Sequence, residues 1–433
     1  MLTASRLNLL ASIQALPRDL RLLFLSLFLW TFGLGLYNYI WPLYLRDLQA
    51  SPSDVGLVFS IGFLALALSM IPGGILANKY ELKGLLIIGW VMSIPPPLMY
   101  YFARTWTDVI PGIVLFQVSG FNVPAFNAYI AGAAERAKSA SNFGITWASA
   151  PLGVVFSPLV GSVLLNWIPV RSIFILTFVF FSISTIVLLF MKPQPPLESD
   201  ARSPRLEFPR SRREGSLLLY LAGAALAWSV ASPFIPLYFQ DALSLGPSVI
   251  LLLGALQSLG AAVFAILLGR RADAKSQGGT MALGLLLSST GLVGILLTRN
   301  LLFAFPMVFL IGSARAPSLV AYSILSTVRK GASRAGQFGF YLTLESLGFV
   351  FGSYLGGLLY TLTPISIFYT TSASFAALAI LAWVSFRKNA ESLLSRRTLE
   401  SEAAAPSQNS KSDSGLTLHP PEEQVVNEIL TIP

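Results

Sequence analysis

Twelve stretches of about twenty apolar residues, parted by short charged or Pro/Gly-bearing breaks, run from Leu22 to Phe386. A helix rising ~1.5 Å per residue needs that length to cross a hydrocarbon core of ~30 Å. Only 11% of the 433 residues are charged, against roughly 25% in soluble domains. So little charge cannot cover a soluble surface of this size. The expected fold class is an all-α membrane protein with spans near 22–44, 55–77, 84–103, 109–131, 142–165, 172–191, 217–239, 248–268, 279–298, 301–325, 337–360 and 364–386.

The distribution of charge orients those spans. Net charge is +9, and of the 29 Lys and Arg, 24 fall in segments that the twelve-span reading places inside. Arg46, Arg104, Arg171 and Arg299 fall outside, and Arg315 falls within a span. This split fits the positive-inside rule, with both termini in the cytoplasm of a multi-pass protein of the inner (plasma) membrane. The basic balance then reads as topology and attraction to anionic membrane lipid, with no role for nucleic acid. Residues 1–21 lack the short apolar core and cleavage site of a signal peptide, so the N-terminus is expected to be retained. The absence of cysteine excludes disulfides and thiol chemistry. With His419 as the only histidine, and no carboxylate pair, activated nucleophile or phosphate-cradling loop, neither enzyme activity, a metal nor a cofactor is expected.

The chain also repeats itself. At an offset of 194, Pro42-Leu43-Tyr44-Leu45-Arg46-Asp47 faces Pro236-Leu237-Tyr238-Phe239-Gln240-Asp241. At 193, Pro124 and Tyr129 face Pro317 and Tyr322; at 195, Ala77 faces Ala272, and Phe143-Gly144, Gly153, Phe156 and Gly161 face Phe338-Gly339, Gly348, Phe351 and Gly356. A register that drifts by so little across widely spaced segments marks a duplication. The expected organisation is a six-helix bundle over 1–195, a cytoplasmic linker over 196–215 rich in Pro, Arg, Glu and Ser, a second six-helix bundle over 216–390, and a disordered cytoplasmic tail over 391–433.

Six plus six spans around a long central loop resembles the major facilitator superfamily over residues 20–388, which implies two pseudo-symmetric bundles enclosing a mid-membrane cavity. Gly74-Ile75-Leu76-Ala77-Asn78-Lys79-Tyr80-Glu81-Leu82-Lys83 resembles that family's loop between spans two and three, Gly-x-Leu-Ala-Asp-Arg-x-Gly-Arg-Arg, with Asn for the Asp and the internal Gly-Arg lost. The second copy, Gly269-Arg270-Arg271-Ala272-Asp273, keeps its Asp. The resemblance makes Gly74, Asn78, Lys79, Lys83, Gly269, Arg270 and Asp273 a conformational latch; plain positive-inside anchoring is the alternative for Lys83 and Lys275. In span five, Gly153, Pro158 and Gly161 resemble the Gly/Pro run of the family's drug/proton antiporters, which implies a helix hinge, although close helix packing selects the same residues. The Arg that such exporters carry in span four is Phe116 here.

Polar groups at membrane depth are costly unless they face a cavity or a partner. Tyr37, Asn38, Gln117, Asn122, Asn127, Tyr322 and Tyr341 are therefore candidate substrate contacts, with interhelical hydrogen bonding the alternative, and Trp147 and Trp228 are candidates for an aromatic wall. Arg315 and Glu345 fall near the midplane and are expected to pair, with Glu345 as proton carrier or the two as a static ion pair. The resulting expectation is a monomeric secondary transporter exporting a small organic or amphipathic compound in exchange for protons. Uptake of a small metabolite by symport or uniport, or a non-transporting sensor of the same fold, are the alternatives.

Overall fold

A computed structural model describes residues 9–133, 139–196, 212–297, 300–328 and 334–386. Residues 197–211 of the expected linker and the whole expected tail lie outside them. Met1–Lys388 form one compact unit, and no strand occurs among the described residues. The helices are α1 (Arg18–Gly35, resuming as Trp41–Asp47), α2 (Pro52–Lys79), α3 (Leu82–Phe102), α4 (Trp106–Ala133) and α5 (Ser139–Leu164). They continue as α6 (Val170–Leu189), α7 (Glu214–Leu243), α8 (Pro247–Ala274), α9 (Gln277–Leu296), α10 (Leu301–Leu325), α11 (Arg334–Leu362) and α12 (Ser366–Ser385). Among the described residues, eleven are long and apolar enough to cross a membrane. The other element, α1, is interrupted by a turn at residues 36–40.

Repeated prolines explain the interruptions. Pro42 and Pro236 each stand in the first two positions of a resumed helix, after caps with nearly the same backbone, Ile40 at φ −95, ψ 4 and Phe234 at φ −103, ψ −11. A proline ring disfavours helical geometry in the residue before it and donates no N–H, so each helix pauses there. Pro124 and Pro317 act similarly in mid-membrane. Each deprives the carbonyl four residues back of its donor, and the preceding turn tightens into 3₁₀ form at Ser119–Asn122 in α4 and at Gly312–Arg315 in α10. Those two segments are 193 residues apart, the offset read from the sequence.

Packing repeats as well. Thr177 donates to Gly33 O at 3.0 Å, tying α6 to α1, and Thr371 donates to Ala227 O at 3.0 Å, tying α12 to α7. Because both bonds are buried and equivalent, Thr177→Val and Thr371→Val are each expected to cost about 0.6 kcal/mol. Two melting curves in the same detergent check this; unequal shifts would count against equivalent packing. In the first half Ser26 and Ser184 exchange hydroxyl-to-carbonyl bonds at 2.9 and 2.7 Å, and Trp90 Nε1 donates to Ser184 Oγ at 2.9 Å, joining α1, α3 and α6. Few polar atoms are thus spent on fastening each bundle.

Candidate functional site

The 3₁₀ turn of α4 rotates Asn122 inward, and around it lies a cavity of about 240 Å³ lined only by residues of α1 to α5. Trp30 forms one wall, its ring nearly parallel to those of Phe116 (centroids 5.6 Å apart, planes at 5°) and Phe181 (5.4 Å, 10°), which also stack on each other at 6.1 Å. Trp90 stacks on Phe126 at 6.1 Å, and Trp147 meets Phe126 edge-on at 4.9 Å. The indoles of Trp30 and Trp147 are held by hydrogen bonds to Ser93 Oγ and Asn127 Oδ1. Offset-stacked and edge-on rings bury large apolar area in fixed geometry, which keeps this wall rigid. Gln117 and Asn122 line the same space, and neither side-chain amide hydrogen-bonds to another described residue. Asn122 is only 7% exposed. A buried amide without a protein partner costs free energy unless water or a ligand satisfies it.

The duplication puts different chemistry at the matching place in the second half. Asn122 corresponds to Arg315, Tyr129 to Tyr322, Trp147 to Leu342 and Ala150 to Glu345. The first half lines its site with aromatic rings and amides, and the second places an acid and a base there. Arg315 and Glu345 do not form the expected ion pair, which is a correction: no Lys or Arg nitrogen lies within 4.0 Å of Glu345 among the described residues. Glu345 instead accepts a hydrogen bond from the Tyr322 hydroxyl at 2.5 Å. Arg315 is exposed, and its charge and that of Glu345 both reach that hydroxyl. The reason is geometric: Arg315 closes a 3₁₀ turn, so its side chain leaves α10 in a direction that 3.6-residue spacing does not anticipate.

The other candidates separate into groups. Tyr37 is buried in an aromatic cluster with Trp41, Tyr100 and Phe174, away from both sites. Asn38 is exposed, Asn127 is occupied by Trp147, and Trp228 packs against the main apolar core. Tyr341 donates to Glu214 at 2.8 Å. Glu214 was missed in the sequence because it was assigned to the linker, yet it is 1% exposed at the start of α7. Its one sequence signal is a lone acid among Arg212, Arg213 and the first apolar residues of the span. Lys83 donates to Leu189 O at 3.0 Å, capping α6, and Lys79 lies over the Tyr80 ring. Gly74, Asn78, Gly269, Arg270 and Asp273 make no hydrogen bond or ion pair through their side chains among the described residues. Gly153 packs on the α1 backbone near Phe28 and Phe32; buried Pro158 lies between it and Gly161, which meets Leu251 of α8.

The halves meet at one end of these helices. Arg46 donates to both oxygens of Asp241 at 2.6 and 2.7 Å, and the Tyr360 hydroxyl donates to the same carboxylate at 2.8 Å. Nearby, Ser248 bonds Ser162 O, Tyr39 lies on Gly254, and Gly56 of α2 abuts the backbone of Ser353 and Gly357 in α11. Further along, Ser60 bonds Val350 O and Phe63 stacks on Phe349. At the opposite ends of these helices, a β-carbon on Gly74, Gly144 or Gly269 would meet nothing within 4 Å among the described residues.

Comparison with known proteins agrees with this architecture. A sequence profile of the Major Facilitator Superfamily matches residues 23–223 and 217–421. The chain is 26% identical over 388 residues to the multidrug resistance protein MdtG of Proteus mirabilis, covering 86% of this chain and 96% of that one. It is 27% identical over 145 residues to the quinolone resistance protein NorA of Staphylococcus aureus, covering 33% and 37%. The crystal structure of the human organic anion transporter MFSD10 superposes with a TM-score of 0.64 at 16% identity, covering 84% of this chain and 99% of that one, a likeness of fold alone. With profile matches over both halves and twelve helices in two related bundles, this multi-pass membrane protein belongs to the Major Facilitator Superfamily of transporters.

Proposed function

We propose that the protein exports a small organic or amphipathic compound in exchange for protons by alternating access, acting as a monomer in the cell membrane with both termini cytoplasmic. The observation that carries this reading is Glu345, a half-buried carboxylate at membrane depth with no cation within 4.0 Å among the described residues. An isolated carboxylate there is costly, and the simplest way to neutralise it is to bind a proton. The Tyr322 hydroxyl donates to this carboxylate at 2.5 Å, and movement of the halves would change that contact. Proton binding and conformation are then coupled through one side chain. The similarity to MdtG and NorA supports drug-like cargo and outward transport.

In this reading the Arg46–Asp241 face is extracellular and shut, Gly74, Gly144 and Gly269 mark the open cytoplasmic side, and Asp273 awaits a partner in the other state. Glu345→Gln keeps the shape and mimics the protonated acid, so it is expected to fold, to retain exchange of cargo down its own gradient, and to lose pH-driven transport by tenfold or more. Transport of a dye into inverted vesicles, with and without an imposed pH gradient, measures this. Full gradient-driven transport by the variant would exclude Glu345 as the coupling group. Accumulation of a nutrient by expressing cells would exclude export.

A further inference from the structure

We infer that the aromatic cavity of the first half is a binding site for an uncharged, flat aromatic molecule, with the ionisable groups of transport held apart in the second half. The inference deepens the functional reading above, on which it rests only in taking the occupant for cargo. None of the fifteen lining residues is ionisable. An anion would enter this space without a counter-ion, at a cost of several kcal/mol, and a cation would find no carboxylate to pair with. Trp30 and Phe116 lie parallel within 5° and so give the space one flat wall, and Trp147 lines it as well. At about 240 Å³ the space exceeds the ~150 Å³ cavity that admits benzene and suits two joined rings.

The two amides supply the polar end. Gln117 and Asn122, four donors and two acceptor oxygens in all, are unbound by the described protein and suit a hydroxyl, carbonyl or ring nitrogen at the edge of such a molecule. The duplication sharpens the assignment. Trp30, Phe126 and Trp147 correspond to Ala224, Leu319 and Leu342, so the second half lacks three of these rings, while Asn122 and Ala150 correspond to Arg315 and Glu345. One ancestral position has diverged into a ring-binding site in one copy and a charged site in the other.

The test uses three probes of one ring system: 2-naphthol, neutral near pH 7, naphthalene-2-sulfonate and 1-naphthylmethylammonium. Quenching of tryptophan emission in the purified full-length protein in nanodiscs, beside empty nanodiscs, reports occupancy. The expected result is saturable quenching by 2-naphthol, with the anion and the cation each at least tenfold weaker. Ala150→Phe, which fills the cavity, is expected to weaken 2-naphthol at least tenfold, and Ala150→Leu, a smaller filler that keeps the measurement available if the larger side chain prevents folding, by about threefold. Equal binding of all three probes, no saturable binding, or 2-naphthol affinity untouched by a folded Ala150 variant would each overturn the inference. Saturable, charge-selective binding by a protein that shows no pH-driven transport would leave the site standing and remove the exchange reading instead.

Discussion

Joining Arg46 to Asp241 covalently is expected to abolish transport, by tenfold or more, and reduction is expected to restore it. The two residues come from the ends of α1 and α7, one in each half, and their side chains meet at 2.6 Å. Alternating access requires that this face part once in every cycle. The native ion pair cannot prevent that, because its partners are 35% and 31% exposed and such pairs contribute only about 0.2–1 kcal/mol. Tyr360 adds one further bond to the same carboxylate. A covalent link prevents the face from parting. Since the chain has no cysteine, Arg46→Cys/Asp241→Cys supplies the only thiols, and a short bifunctional thiol reagent with a cleavable disulfide makes the test reversible. Undiminished dye transport by the cross-linked protein would show that this face need not open. Loss of transport before cross-linking would assign the ion pair a larger part than its exposure allows.

Replacing Gly56 by Leu is expected to have the second largest effect, moving the population away from the conformation described here while leaving the protein folded. Gly56 stands where α2 crosses α11, and a β-carbon on it would lie 2.5 Å from Ser353 O and 3.2 Å from Gly357 Cα. Both obstacles are backbone, so neither can rotate away. Overpacking of this kind typically costs 1–3 kcal/mol. That cost falls only on the state in which α2 and α11 touch at this face, so it becomes a shift of about 5- to 150-fold in the equilibrium between states. The opposite face reports the shift. Antiparallel packing sets Gly161 against Leu251, and the same register, followed seventeen residues back along α5 and forward along α8, would bring Gly144 towards Leu268 and Gly269 if that face closed. Gly144→Cys is therefore expected to react readily with a thiol reagent in the parent protein and at least fivefold more slowly beside Gly56→Leu. Equal labelling rates in a folded double variant would argue against that register as the closing contact.

Much of this architecture was legible before any coordinates. The twelve spans and their duplication were read from the sequence, and the structure adds, at the same offset, the helix breaks at Pro42 and Pro236, the tightened turns ahead of Pro124 and Pro317, and the matching Thr177 and Thr371 bonds. The candidate polar residues were less evenly legible. Gln117 and Asn122 do face a cavity, whereas Tyr37 is enclosed by other rings and Asn127 serves Trp147. Nothing in the local pattern separates these cases, because helices apolar on every side carry no stripe to show which face turns inward.

Span length, the positions of the breaks, the duplication and the depth of Arg315 and Glu345 were determined by the sequence alone, because each depends on residues near one another in the chain or on a comparison at constant spacing. The tertiary structure decided the partners: Tyr322 rather than Arg315 for Glu345, Tyr341 for the buried Glu214, and Asp241 for Arg46, 195 residues away. Such choices depend on the rotation of each helix about its axis and on which faces of the two halves are in contact. A 3₁₀ turn at residues 312–315 is enough to redirect a charge, and a change of conformational state is enough to exchange one set of contacts for another.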